Sequence, residues 1–162
     1  TTQQNQLYAL LENSVKALGI NWGPVKGDAV LQNGEFKILE VAPRLHGPKN
    51  SIYLLPYSGF DCLAASFNTI TGDNESSIDE VRQNLHCVCE AVMPLPGAKF
   101  DREGTEKARF KKGIVKVLIF KKDNAVINRY RNATDVPAYV FSAGNDYKDC
   151  TNYLENTGLF TK

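Results

Sequence analysis

Hydrophobic positions along this chain change their period from one region to the next. Leu7, Leu10, Leu11, Val15 and Leu18 fall on one stripe at helical spacing, so the first element is expected to be a helix over about 4–18, with Gly19 placed to end it. Alternation then takes over. Segments 24–32 and 35–41 read as strands about the turn signal Asn33-Gly34. The stretch APRLHGPKN over 42–50 reads as a loop by its Pro, Gly and Asn content. A short helix near 51–55 follows. Asp61 can cap a helix over about 61–71, with Gly72 after its end. Another short helix is expected near 78–84, capped by Ser76 or Ser77, and His86–Met93 reads as a strand stopped by Pro94-Leu95-Pro96-Gly97. Beyond it, 113–121, 125–130 and 136–142 are strand-like, and a helix is expected near 147–156. The fold class is therefore α+β: an antiparallel sheet with helices on one face, then a small β-rich subdomain, divided as residues 1–85 and 86–162.

Composition narrows the function. The chain has 162 residues, 43% of them hydrophobic, and a net charge of +1, which suits one or two small domains with a real core. That charge points to no nucleic-acid partner. No apolar run is long enough to span a membrane. The mixed run Arg102 to Lys112 also contains Glu103 and Glu106 and is expected to be a solvated loop. The four cysteines, Cys62, Cys87, Cys89 and Cys150, are expected to be reduced, as in a cytoplasmic protein. His86-Cys87-Val88-Cys89 lacks the second ligand pair that a zinc site needs and reads as a core strand. Trp22 and Phe60 are expected to pack in the core or a cleft wall.

The hairpin GDAVLQNGEFKILEVAPR carries the chemistry. A two-residue turn at Asn33-Gly34 pairs residues whose numbers sum to 67, which sets Asp28 opposite Leu39 and points it away from Glu40. A three-residue loop, Gln32-Asn33-Gly34 with Gly34 left-handed, pairs residues summing to 66. Then Lys26, Asp28, Val30, Phe36, Ile38 and Glu40 share a face, Val30 meets Phe36, Asp28 meets Ile38, and the two acids become diagonal neighbours. Hydrophobic segregation favours the second register. Converging carboxylates about 4.5 Å apart would repel by roughly 3–4 kcal/mol at an effective dielectric near 20. A shared proton, a lysine or a divalent cation must answer that repulsion. Oxygen ligands suit Mg²⁺, which takes one or two protein carboxylates and completes its shell with phosphate oxygens and water. Arg44 would then be a natural partner for a phosphate or carboxylate. The plain alternative is a surface hairpin with solvated acids, Lys26 neutralising Glu40.

Residues 10–72 resemble the second half of an ATP-grasp domain. The resemblance is carried by ALGINWGPV (17–25), by Gly27-Asp28-Ala29-Val30-Leu31, by LEVAPRLHG (39–47) and by Gly59-Phe60-Asp61 before a helix ending at Thr71-Gly72. More weakly, 86–162 resembles the small C-terminal unit of carboxylate–amine ligases of that family. Such a ligase phosphorylates a carboxylate with ATP, and an amine attacks the acyl phosphate. The resemblance implies Asp28 and Glu40 as metal-binding acids, Glu40 in the bridging position, and Arg44 as the contact to the transferred phosphoryl group. ATP and magnesium are the implied cofactors, and a small-molecule carboxylate and amine the implied substrates. His46 and Gly47 fall in the loop lining the substrate side. Ala42 stands where the family usually has an asparagine, which removes one expected ligand of a second metal. No glycine-rich phosphate loop is present, and the family's adenine pocket and phosphate-holding lysines precede the matched region. The chain is thus expected to be a fragment, inactive alone, whose partner is the N-terminal part of the same protein. Two other readings stand beside it: a non-catalytic ATP-grasp-like module that docks a substrate or partner, and an unrelated α+β binding domain.

Overall fold

The computed structural model describes residues 2–47, 53–54, 57, 59, 61–72 and 85–160. The chain divides into two compact units, one of Thr1–Ser51 with Asp61–Glu80 and one of Ile52–Phe60 with Val81–Lys162. The expected helices near 51–55 and 78–84 lie mostly or wholly outside the described residues, as does Phe60.

The first unit begins with helix α1, Thr2–Ala17. Its half-buried positions are Leu7, Leu10, Leu11, Ser14 and Val15, the stripe that the spacing marks out, while Leu18 lies past the helix end and is exposed. Gly19 adopts φ +68°, its N–H bonding the Lys16 carbonyl, while the Ile20 N–H bonds that of Val15. This paired closure satisfies the last carbonyls of the helix and needs a left-handed residue at Gly19.

Strands β1, Lys26–Gln32, and β2, Glu35–Ala42, form an antiparallel hairpin. Asn33 and Gly34 have φ +53° and +84°, the two left-handed residues of a two-residue turn whose twist suits the strands. Helix α1 packs on β2. A side chain at Gly27 would begin 2.5 Å from the Leu11 Cδ1 atom, so the glycine permits the close approach of helix and strand. Helix α2, Cys62–Thr71, also belongs to this unit. The Asp61 carboxylate accepts from the N–H groups of Leu63 and Ala64 at 3.1 and 3.0 Å, and Gly72 closes the helix with φ +76°.

The second unit is a three-stranded antiparallel sheet in the order β3 (His86–Val92), β5 (Ala138–Gly144), β4 (Ile114–Ile119). The central strand β5 is buried at every position except Tyr139, as a strand paired on both edges should be. Helix α4, Tyr147–Glu155, packs on β5 and β3. Phe100, Val117, Val140 and Leu154 centre the core. Buried Ser142 donates its hydroxyl to the Cys150 carbonyl at 3.0 Å.

Two expectations for this unit need correction. Segment 125–130 forms no strand: Val126 makes one isolated bridge to Lys99, and Ile127 bonds Ala98 through its backbone. Arg102–Lys107 is a short helix, α3, rather than a loop, followed by a 3₁₀ turn over Ala108–Phe110. Asp101 caps α3 by accepting from the Gly104 N–H at 2.8 Å, and Glu103 and Lys107 pair across one turn at 2.7 Å. The mixed charges that suggested a loop are helix-stabilising pairs.

Candidate functional site

The site residues lie on the hairpin and the turn after it, within the first unit. Next to the turn the ladder runs in the two-residue register: Gln32 pairs with Glu35, Leu31 with Phe36, Val30 with Lys37 and Ala29 with Ile38. The expected three-residue loop, with Val30 opposite Phe36 and Asp28 opposite Ile38, is not formed. Asn33 accepts the left-handed conformation as well as Gly34, so the tighter turn closes.

The acids meet by another route. Leu39 has no partner, and beyond it Asp28 pairs with Glu40, Gly27 with Val41 and Lys26 with Ala42. This bulge has a hydrophobic cause. In a regular strand Phe36, Ile38 and Glu40 would share one face, the face on which helix α1 packs. The extra residue flips the phase, so Val41 takes the buried side and Glu40 turns away from it. Since Gly27 faces Leu11, its neighbours Lys26 and Asp28 point to the opposite face, beside Glu40 and Ala42. Leu39 itself is 69% exposed.

Lys26 lies between the two carboxylates. Its ammonium donates to Asp28 Oδ2 and, at 3.1 Å, to Glu40 Oε1. The lysine side chain is only 12% exposed, whereas those of Asp28 and Glu40 are 48% and 52% exposed. These two hydrogen bonds, first that of Asp28 and then that of Glu40, raise the Lys26 pKa above the ordinary lysine value against a smaller opposing effect of burial. The ammonium is therefore the cation that answers the repulsion between the acids here. Sequence reasoning paired Lys26 with Glu40 alone. Its two-residue spacing from Asp28 was the available signal for the second contact.

Arg44 joins the group through a tight turn. Its N–H bonds the Ala42 carbonyl at 2.8 Å across Pro43, a three-residue turn at the strand end. The guanidinium Nη2 then stands 3.9 Å from Glu40 Oε1, the oxygen that Lys26 also contacts, while Nη1 donates to the Leu45 carbonyl at 3.1 Å. Trp22, expected in a core or cleft wall, is 71% exposed and lines a shallow depression with its neighbours over 19–24 and Pro43.

The donor set fits magnesium. Asp28 and Glu40 offer carboxylate oxygens on one face, both open to solvent, and Mg²⁺ is commonly held by one or two carboxylates with phosphate and water completing its shell. Among the described residues no group of three or more His, Cys, Asp or Glu side chains is placed to hold a metal ion. The hairpin and the turn after it bring Asp28, Glu40 and Arg44 together, with Lys26 between the two acids.

No protein-family profile matches the sequence, and no curated protein does. Solved structures do. An L-amino acid ligase from Bacillus licheniformis superposes with a TM-score of 0.75 at 19% identity, over 93% of this chain and 39% of its own. A phosphoribosylglycinamide synthetase from Anaerococcus prevotii gives 0.67 at 17% identity, over 94% and 39%. A phosphoribosylaminoimidazole carboxylase ATPase subunit from Aquifex aeolicus gives 0.62 at 16%, over 95% and 43%. The chain therefore spans about two-fifths of the length of these proteins. No described helix is long and apolar enough to cross a membrane.

Proposed function

From the ATP-grasp fold that this chain shares with those enzymes over their C-terminal part, we propose that it supplies the metal- and phosphoryl-facing side of a ligase joining a carboxylate to an amine. One observation carries the reading: two acids from adjacent strands face each other directly, with an arginine folded back beside them. Asp28 and Glu40 would hold the magnesium that accompanies the ATP phosphates. Bound there, the ion would neutralise charge on the phosphoryl group as it moves. Arg44, with five donors in a planar fork, would orient that group, by contact with its oxygens, toward the acceptor carboxylate. Phosphoryl transfer releases ADP and leaves an acyl phosphate. The amine then displaces phosphate, which leaves with the proton lost from the nitrogen as the C–N bond forms. These residues position and neutralise; none needs to exchange a proton in the transfer.

The test is ADP release by the complete gene product with ATP, Mg²⁺ and pairs of amino acids as carboxylate and amine. Asp28→Asn and Glu40→Gln should each abolish turnover while leaving the fold intact. Full activity in both variants would overturn the assignment.

A second reading has an observation of its own. Lys26 already bridges the acid pair, as it would in a module that keeps the fold and docks a substrate or partner without catalysis. Nucleotide binding separates the two, since only the ligase reading requires Mg-ATP affinity that depends on Asp28 and Glu40.

A further inference from the structure

We propose that Lys26 is the resident cation of the acid pair, and that a divalent ion enters the site by displacing its ammonium from both carboxylates. The proposal rests on the metal reading of Asp28 and Glu40 given above.

Three features carry it. The ammonium occupies the space between the two carboxylates, with a hydrogen bond to each. The position is built into the hairpin rather than reached by a free side chain: the lysine side chain is largely covered while both acids stay open. Its cross-strand partner is Ala42, whose methyl group leaves room for the lysine stem and offers no competing donor or acceptor. The charges also balance. Two acids face two bases, Lys26 and Arg44, all linked through Glu40 or Asp28.

A bare divalent ion therefore meets a neutral cluster and must break two charge-assisted hydrogen bonds to reach the oxygens. An ion that arrives with phosphate brings its own acceptors. The displaced ammonium and the Arg44 guanidinium can both turn to the phosphate oxygens while the carboxylates take the metal. The site thus favours a metal–phosphate complex over the metal alone.

The experiment measures the manganese retained with this chain on ultrafiltration, with and without inorganic pyrophosphate. Lys26→Met should bind Mn²⁺ alone about tenfold more tightly than the parent chain, because no ammonium then competes for the two carboxylates. Pyrophosphate should shrink that difference. Lys26→Gln, which keeps a neutral donor of similar length, should shift affinity in the same direction and guards against a packing defect in the methionine variant. Equal or weaker Mn²⁺ binding in both lysine variants, with Asp28→Asn still weakening it, would overturn the resident-cation proposal and keep the metal reading. Mn²⁺ binding that ignores Asp28→Asn and Glu40→Gln would overturn the metal reading itself, and this proposal with it.

Discussion

Asp28 and Glu40 stand directly opposite each other across the hairpin because Leu39, between Ile38 and Glu40, has no partner in the ladder. The bulge keeps Phe36, Ile38 and Val41 on the side of helix α1 and turns the acids away from it together. Site geometry and core packing therefore come from one irregularity.

Deleting Leu39 should leave Asp28 opposite Glu40. Without it the two-residue register continues unbroken, and Lys26–Ala42, Gly27–Val41 and Asp28–Glu40 all remain pairs. Cross-strand nuclear Overhauser contacts between strands β1 and β2 would report this directly. The milder Leu39→Ser, at an exposed and unpaired position, should change stability by no more than about 0.5 kcal/mol. Loss of the Asp28–Glu40 pairing on deletion would mean that something other than hydrophobic phase sets the register.

Gly113→Ala should be among the costliest single changes in the second unit. Gly113 has φ +73°, and an added Cβ would lie 1.9 Å from the Tyr153 ring. Backbone strain and overpacking together should cost roughly 2–4 kcal/mol. Chemical denaturation measures it, and Tyr153→Ala in the same chain should recover the steric part of the loss relative to Tyr153→Ala alone.

Helix α2 depends on its cap. Asp61→Ala removes the acceptor for the N–H groups of Leu63 and Ala64 and should cost about 1 kcal/mol. Asp61→Asn or Ser should restore most of it. Denaturant midpoints compare the three.

Much of this architecture was legible in the sequence where local chemistry decides structure. The stripe from Leu7 to Val15, the left-handed closures at Gly19 and Gly72, and the Asp61 cap are signals that do not need a tertiary partner. The hairpin was legible as a hairpin, and its acids as candidates, but its register was not. A phase break hides in the adjacent apolar pair Ile38-Leu39, and it resolves only against the buried face that helix α1 covers. Segment 125–130 alternates like a strand, yet β5 already has a neighbour on each edge in β3 and β4, and this segment instead makes an isolated bridge at Val126 and backbone bonds from Ala125 and Ile127 to 97–100. Arg102–Lys107 was obscured differently: its charges read as solvation until the Asp101 cap and the Glu103–Lys107 pair showed a helix.

Asp135 should contribute an acid-sensitive part of the stability. Backbone N–H groups of Arg131 and Asn132 donate to its carboxylate, the first at 2.8 Å, and the Arg131 bond does most to hold its pKa below the usual aspartate value. A depressed folded pKa stabilises the fold above the unfolded-state value, and the effect is lost as pH falls through the folded one. As pH falls below about 4 the parent chain should therefore lose more stability than Asp135→Asn, whose amide oxygen does not titrate. Thermal melts across that range would show the two curves converging toward acid. Parallel curves would contradict this role for Asp135.

Paramagnetic broadening tests the central claim most directly. Substoichiometric Mn²⁺ with ATP, added to the isotope-labelled chain, should selectively broaden the amides around Lys26–Asp28 and Glu40–Arg44, and the effect should vanish in Asp28→Asn with Glu40→Gln. Broadening centred elsewhere, or unchanged in the double variant, would show that this acid pair is not where the metal and its phosphates bind.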